Sequence, residues 1–173
     1  CTTTKSFLWS VSSCSDYAVE SKIRLTSGGR GGVGLRGNDV ADYSLNGGQG
    51  YYARCRPPDD DFALILHDGA NAEQVLDSAT VTFGTDWYRI SLYAYGSNLK
   101  ASLNGVNLSA TDSTLTSGRV RIFVATLVTE GTDKVEWDWI AVRKFIDPEP
   151  SHAAWGSEEL NSRNVFLCLK YDG

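Results

Sequence analysis

The sequence predicts an all-β fold: an antiparallel two-sheet β-sandwich of the jelly-roll kind. Three observations carry that expectation. Helical periodicity is nearly absent. Short runs of apolar-alternating or β-branched and aromatic residues recur at near-regular spacing. Clusters of Gly, Asn, Asp and Ser separate them. With 42% hydrophobic and 21% charged residues, the 173-residue chain suits a single domain with a sizeable core, spanning 1–173.

Taken in order, strands are expected at 17–25 (YAVESKIRL), 32–36, 50–56, 62–67, 79–83, 87–95, 99–103, 119–125, 135–145 and 164–171. Only 72–77 has the pattern of a helical turn or two. Tyr95-Gly96-Ser97-Asn98 and Leu103-Asn104-Gly105-Val106 bound strands as turns, and Asn-Gly is a strong hairpin cue. Prolines make 147–163 an extended segment that leads to the added C-terminal strand 164–171.

A net charge of −5 leaves no basic stripe to displace counterions, which argues against nucleic acid. No apolar run approaches the roughly 20 residues that span a bilayer. Methionine is absent and the first residue is Cys1, so the chain is expected to have lost a signal peptide or an upstream region. A lipid on Cys1 is a further option. Cys1, Cys14, Cys55 and Cys168 lack zinc-ligand spacing; their even number favours disulfides and an oxidising compartment, with three connectivities open. Buried free thiols are the alternative. Asn107-Leu108-Ser109 forms one glycosylation sequon.

The succession DYAVESKIRL, GVGLRGND, YYARCRP, TDWYRISLYAYGSNLKASLNGV, ATDSTLTSGRVRIFV and EWDWIAVRKFIDPEP, over about residues 16 to 150, resembles the concanavalin A-like lectin/glucanase superfamily. More narrowly, it resembles laminin-G-type modules of archaeal and bacterial secreted or surface proteins. The resemblance implies a concanavalin A-like sandwich, a fold that hosts lectins, glycosidases, adhesion modules and structural subunits. Two departures stand out. The resemblance implies an opening strand before 17–25, yet only fifteen residues precede Asp16, with Phe7-Leu8-Trp9 as their apolar cluster. Beyond the Pro-Glu-Pro region the chain adds Val165-Phe166-Leu167-Cys168-Leu169.

Glycosidases of this superfamily resemble a strand reading Glu-x-Asp-x-(x)-Glu. Strict alternation in VEWDWIAVRK groups Glu136, Asp138, Ile140 and Val142 on one face, and Val135, Trp137, Trp139, Ala141 and Arg143 on the other. Where the second Glu should stand, the chain has Ile140 or Ala141, so the two-carboxylate mechanism lacks its partner and a structural role for Glu136 and Asp138 is preferred. Trp137, Trp139 and Arg143 are read as packing, then as a partner surface, then as a sugar-stacking surface.

The acidic loop Asp59-Asp60-Asp61 supplies oxygen ligands of the kind calcium takes, although solvated acidic loops are commoner. Asn38, Asp39 and Asp42 form a second group and Asp68 a third. Gly29 to Gly34 contains a literal Gly-x-Gly-x-x-Gly, but strand and turn follow rather than a helix, so no dinucleotide site is expected. Neither His67 nor His152 has a metal or triad partner, and the chain is read as no enzyme.

The leading expectation is a self-associating structural or adhesive subunit, extracellular or at the cell surface, forming a homo-oligomer or polymer. Residues 7–10 or 164–171 would donate a strand to a neighbour, with Val165, Leu167 and Leu169 filling pockets. The alternative is a carbohydrate-binding, lectin-like module with a glycan partner; the third reading is a glycoside hydrolase. Calcium is the one cofactor considered.

Overall fold

In the computed structural model of the chain, the described residues are 4–8, 15–25, 29–38, 48–69, 73–126 and 135–146. They form β1 (Thr4–Leu8), β2 (Tyr17–Leu25), β3 (Gly29–Gly37), β4 (Gln49–Arg56), β5 (Asp61–Asp68), β6 (Glu73–Thr80), β7 (Tyr88–Tyr95), β8 (Asn98–Leu103), β9 (Val106–Thr111), β10 (Arg119–Thr126) and β11 (Val135–Lys144). A six-stranded sheet runs β1-β10-β3-β4-β5-β6, and a five-stranded sheet runs β11-β2-β7-β8-β9. Every pairing is antiparallel. The expected two-sheet jelly roll is what the residues build.

Alternation assigns each strand one buried face. Val19, Ile23 and Leu25 of β2, with Ile90 and Leu92 of β7 and Leu99 and Leu103 of β8, form one wall of the core. Val33 and Leu35 of β3, Tyr51 and Ala53 of β4, and Phe62 and Leu64 of β5 form the other. Full burial of a side chain such as Leu92 is worth roughly 1.5–3 kcal/mol. The glycine run from Gly29 belongs to β3, which begins three residues before the strand expected at 32–36. A Cβ on Gly34 would stand 2.6 Å from a Tyr52 ring carbon, so glycine there lets that ring lie across the strand.

One end of the sandwich is tied by Arg36, whose side chain is 2% exposed. Its Nε and Nη2 donate to the Ser15 carbonyl at 2.9 and 2.8 Å. Nη1 donates to Leu115 O and Nη2 to Gly96 O, both at 2.8 Å. Three separate connections thus share one guanidinium. Beside it, the Tyr51 hydroxyl donates to the Asp112 carboxylate and accepts from the Leu115 amide at 3.1 Å. Burial, then the bond to Asp112, pushes the Tyr51 phenol up to about 12.

Several expectations need correction. Residues 73–80 are β6, an edge strand on β5, not a helical turn: pairing with β5 and packing of Leu76 against the core override a weak helical pattern. The expected strand at 79–83 is only the end of β6. Val106–Thr111 form an unanticipated strand, because Asn104 and Gly105, at φ 46° and 90°, close a tight hairpin that returns to β8. The opening strand is present as well: Thr4–Leu8 pairs with β10 of its own sheet, Phe7 opposite Ile122. Cys55 is a free thiol, fully buried in the core, and not a disulfide half. Cys1, Cys14 and Cys168 lie outside the described residues, as does the segment with Val165, Leu167 and Leu169.

Candidate functional site

The face of the five-stranded sheet turned away from the core carries the chemistry. Residues alternating with the core set point there: Glu20, Lys22 and Arg24 of β2; Arg89, Ser91 and Tyr93 of β7; Lys100 and Ser102 of β8; Asn107 and Ser109 of β9. These are short polar, cationic and aromatic side chains on rigid strands, which fix their spacing.

β11 joins this face through a bulge. Its register on β2 shifts between Trp137, opposite Ile23, and Trp139, opposite Lys22, leaving Asp138 as the extra residue. The hydroxyl of Ser21 donates to the Trp139 carbonyl at 2.8 Å, satisfying a backbone acceptor at the disrupted step. Strict alternation therefore fails here. Val135 and Trp137 pack on the core together with Ile140 and Val142, while Trp139 and Arg143 stand on the outer face. The expectation that Trp137 and Trp139 share a face is corrected by this one residue. The core assignment of Ile140 and Val142 stands.

Glu20 organises the centre of the face. Oε2 accepts from Arg89 Nη2 at 2.6 Å and Oε1 from Arg143 Nη2 at 3.1 Å, with the Tyr93 hydroxyl 3.5 Å away. Burial works to raise the Glu20 pKa, but the bonds and charges of the two arginines together outweigh it and hold the carboxyl below its ordinary range. The Arg89 guanidinium lies 6.0 Å from the Trp139 ring centre; that of Arg143 lies 5.8 Å from both Tyr93 and Phe145. Arg24 and Lys22 flank the Trp87 ring at 4.9 and 5.4 Å. Arg24 also pairs with Glu136, and Lys22 with Asp138 at 3.3 Å. The two β11 carboxylates are thereby held by cations of β2.

Over β7, β8 and β9 the face opens into a depression of about 540 Å³. Its polar lining includes Arg89, Ser91, Lys100, Ser102 and Asn107, and its aromatic lining is Tyr93 and Phe145, whose ring centres are 5.1 Å apart. Among the described residues no carboxylate lines it. That size falls within the range of small-ligand sites. Asn107, the sequon asparagine, is exposed within this lining.

The remaining candidates lie elsewhere. Asp59 pairs with Arg56 and Asp61 with Arg54, while Asp60 turns the chain at φ 50°. Among the described residues no three His, Cys, Asp or Glu side chains converge as metal ligands do. His67 is buried against Tyr52, with ring centres 5.9 Å apart. Glu20, Arg89, Tyr93, Lys100 and Ser102 did not emerge from the sequence. Their signal was the second face of three strands: Glu in YAVESKIRL, Arg and Tyr in WYRISLYAY, and Lys and Ser in NLKASL each alternate with core residues.

No protein-family model and no curated protein sequence matches the chain. Solved structures do resemble it. A carbohydrate-binding module, CBM66, from Bacillus subtilis superposes with a TM-score of 0.66 at 18% identity, over 82% of each chain. A protein of unknown function with a galectin-like fold, also from Bacillus subtilis, gives 0.59 at 11% identity, over 83% of this chain and 75% of that one. A mixed-linkage glucan GH16 protein of Bacteroides ovatus, in complex with a product, gives 0.57 at 13% identity, over 76% and 71%. These likenesses are of fold, and the fold is that of the concanavalin A-like jelly rolls. It carries binding modules and enzymes alike.

Proposed function

We propose that the chain is a carbohydrate-binding module that holds a saccharide in the depression over β7, β8 and β9. The observation that carries this reading is the lining: the half-buried Tyr93 ring, backed by the buried Phe145, beside serine and asparagine side chains that both donate and accept hydrogen bonds. Sugar rings present apolar C–H faces to aromatics and hydroxyls to such groups. The fold shared with a carbohydrate-binding module supports the reading. Holding rather than cleaving is supported by the carboxylates, since Glu20, Glu136 and Asp138 each engage a cation and none lines the depression. Such a module would act outside the cell or at its surface. Of the two strand donors that self-association called for, one pairs within its own sheet and the other lies outside the described residues.

The test is a glycan array followed by calorimetric titration of the best ligand. Ser102→Trp places a bulky ring in the depression, and Tyr93→Ala removes an aromatic wall. Each should weaken binding at least ~10-fold, about 1.4 kcal/mol, with unaltered secondary structure. Absence of binding to any saccharide at millimolar concentration refutes the proposal, and turnover of a bound glycan refutes its non-catalytic part.

A further inference from the structure

The chain is acidic overall, at −5, yet this face is not. Lys22, Arg24, Arg89, Lys100 and Arg143 stand on it against Glu20, Glu136 and Asp138. The three acids all lie in the β2–β11 half, where each meets a cation. The depression lies over the other half, and its charged lining is Arg89 and Lys100. Lys and Arg donate hydrogen bonds and accept none, so at these two positions the site is built for acceptors.

We propose that the ligand is an acidic saccharide, whose carboxylate or sulfate groups meet Arg89 and Lys100. This rests on the carbohydrate-binding reading and narrows its ligand class. Arg89 is prepared for the task. One Nη is fixed by Glu20, the guanidinium plane lies near Trp139, and the side chain is still 68% exposed, so much of its fork faces solvent. Arg-to-carboxylate and Arg-to-sulfate bonds are charge-assisted and about twice as strong as neutral ones. The Glu20 bond also preorganises the fork, so little side-chain freedom is lost on binding.

Spacing supports a polymer with repeated charges. Lys100 is the cross-strand partner of Tyr93, four residues along β7 from Arg89. At ~3.3 Å per residue, the two cations sit about 13 Å apart along the strand. The serines Ser91 and Ser102, directly opposite each other, lie between them. A saccharide lying along β7 meets a cation, the Ser102 hydroxyl above the buried Ser91, and a second cation in turn.

The experiment titrates the protein with oligogalacturonate, with the same oligomer fully methyl-esterified, with a sulfated galactan oligosaccharide and with neutral glucan and fructan oligosaccharides. Oligogalacturonate or the sulfated oligomer should bind roughly 10-fold or more tighter than the methyl ester, with affinity falling severalfold between low salt and about 0.5 M. The carboxylate and sulfate arms distinguish which anion is read. Arg89→Gln and Lys100→Gln should each remove most of that preference, bringing the ratio of acidic to methyl-ester affinity down roughly 10-fold toward one. A methyl ester or neutral oligomer that binds as tightly as the acidic ones overturns the acidic-ligand proposal and leaves the carbohydrate-binding reading intact. If none of these oligosaccharides binds and the wider array is also blank, the underlying reading falls with it.

Discussion

Replacing Arg36 by methionine tests what fastens one end of the sandwich. The substitution keeps an unbranched apolar stem but removes a guanidinium that makes four hydrogen bonds to the carbonyls of Ser15, Gly96 and Leu115. The same group stands 3.7 Å from Asp16. Losing it leaves three acceptors without their donor, and each buried unsatisfied group costs about 1–3 kcal/mol. Water reaches some of them at the sandwich end, so the low half of that range applies, giving a loss of about 3–6 kcal/mol. Arg36 is also held at φ 54°, a left-handed conformation that costs a residue with a Cβ roughly 1–2 kcal/mol. Arg36→Gly should therefore be less damaging than Arg36→Met by about that amount, although glycine lacks the stem. Urea denaturation gives the free energies, and the midpoint temperature should drop by roughly 6–24 °C for Arg36→Met. A loss under about 1 kcal/mol for Arg36→Met would show that the three carbonyls find other donors, and the clamp would have to be abandoned.

Two further outcomes follow from the described geometry. Because Arg89 and Arg143 hold the folded Glu20 carboxyl below its ordinary value of 4.5, the folded state takes up that proton less readily than the unfolded state. The stabilisation is complete above about 4.5 and is lost as pH falls through the lower folded value. Glu20→Gln should remove that part of the acid dependence in pH-resolved denaturation curves; curves of identical shape for the two proteins would contradict it. Cys55 is fully buried, and burial pushes its thiol far up, so it should resist alkylation in the native protein and react at once in denaturant. Mass mapping of the Cys55 peptide after native labelling reads this, and rapid native modification would argue against the core placement.

The fold was legible because most strands carry their own signal. In YAVESKIRL, Val19, Ile23 and Leu25 alternate with Glu20, Lys22 and Arg24, and both ends of β2 came out as expected. Where the signal was weak, the reading failed for identifiable reasons. EQVLDSAT has an exposed Val75 and a polar majority, and only pairing with β5 makes it a strand. β9 hides its single buried residue, Leu108, among Asn107, Ser109 and Thr111, although Asn104-Gly105 announced the hairpin that contains it. The bulge at Asp138 left no mark, since an acidic residue between two tryptophans reads as perfect alternation. The candidate site was the least legible part. Its residues come from five strands spread between Glu20 and Arg143, and each alone resembles an ordinary solvent-facing position. Only the sheet order places them side by side.

The extra residue in β11 gives that strand two phases. Upstream of Asp138, odd-numbered positions face inward; downstream, even-numbered positions do. Removing one residue there would merge the phases and leave no good choice. Either Val135 and Trp137 would turn to water, or Ile140 and Val142 would, carrying Trp139 and Arg143 into the core and taking from Glu20 one of its two arginines. Sequence drift in this strand is therefore asymmetric: substitutions at Asp138 are open, whereas its length is not. Exchanging that aspartate would cost only its exposed pair with Lys22, whereas losing the position it occupies would turn half the strand inside out.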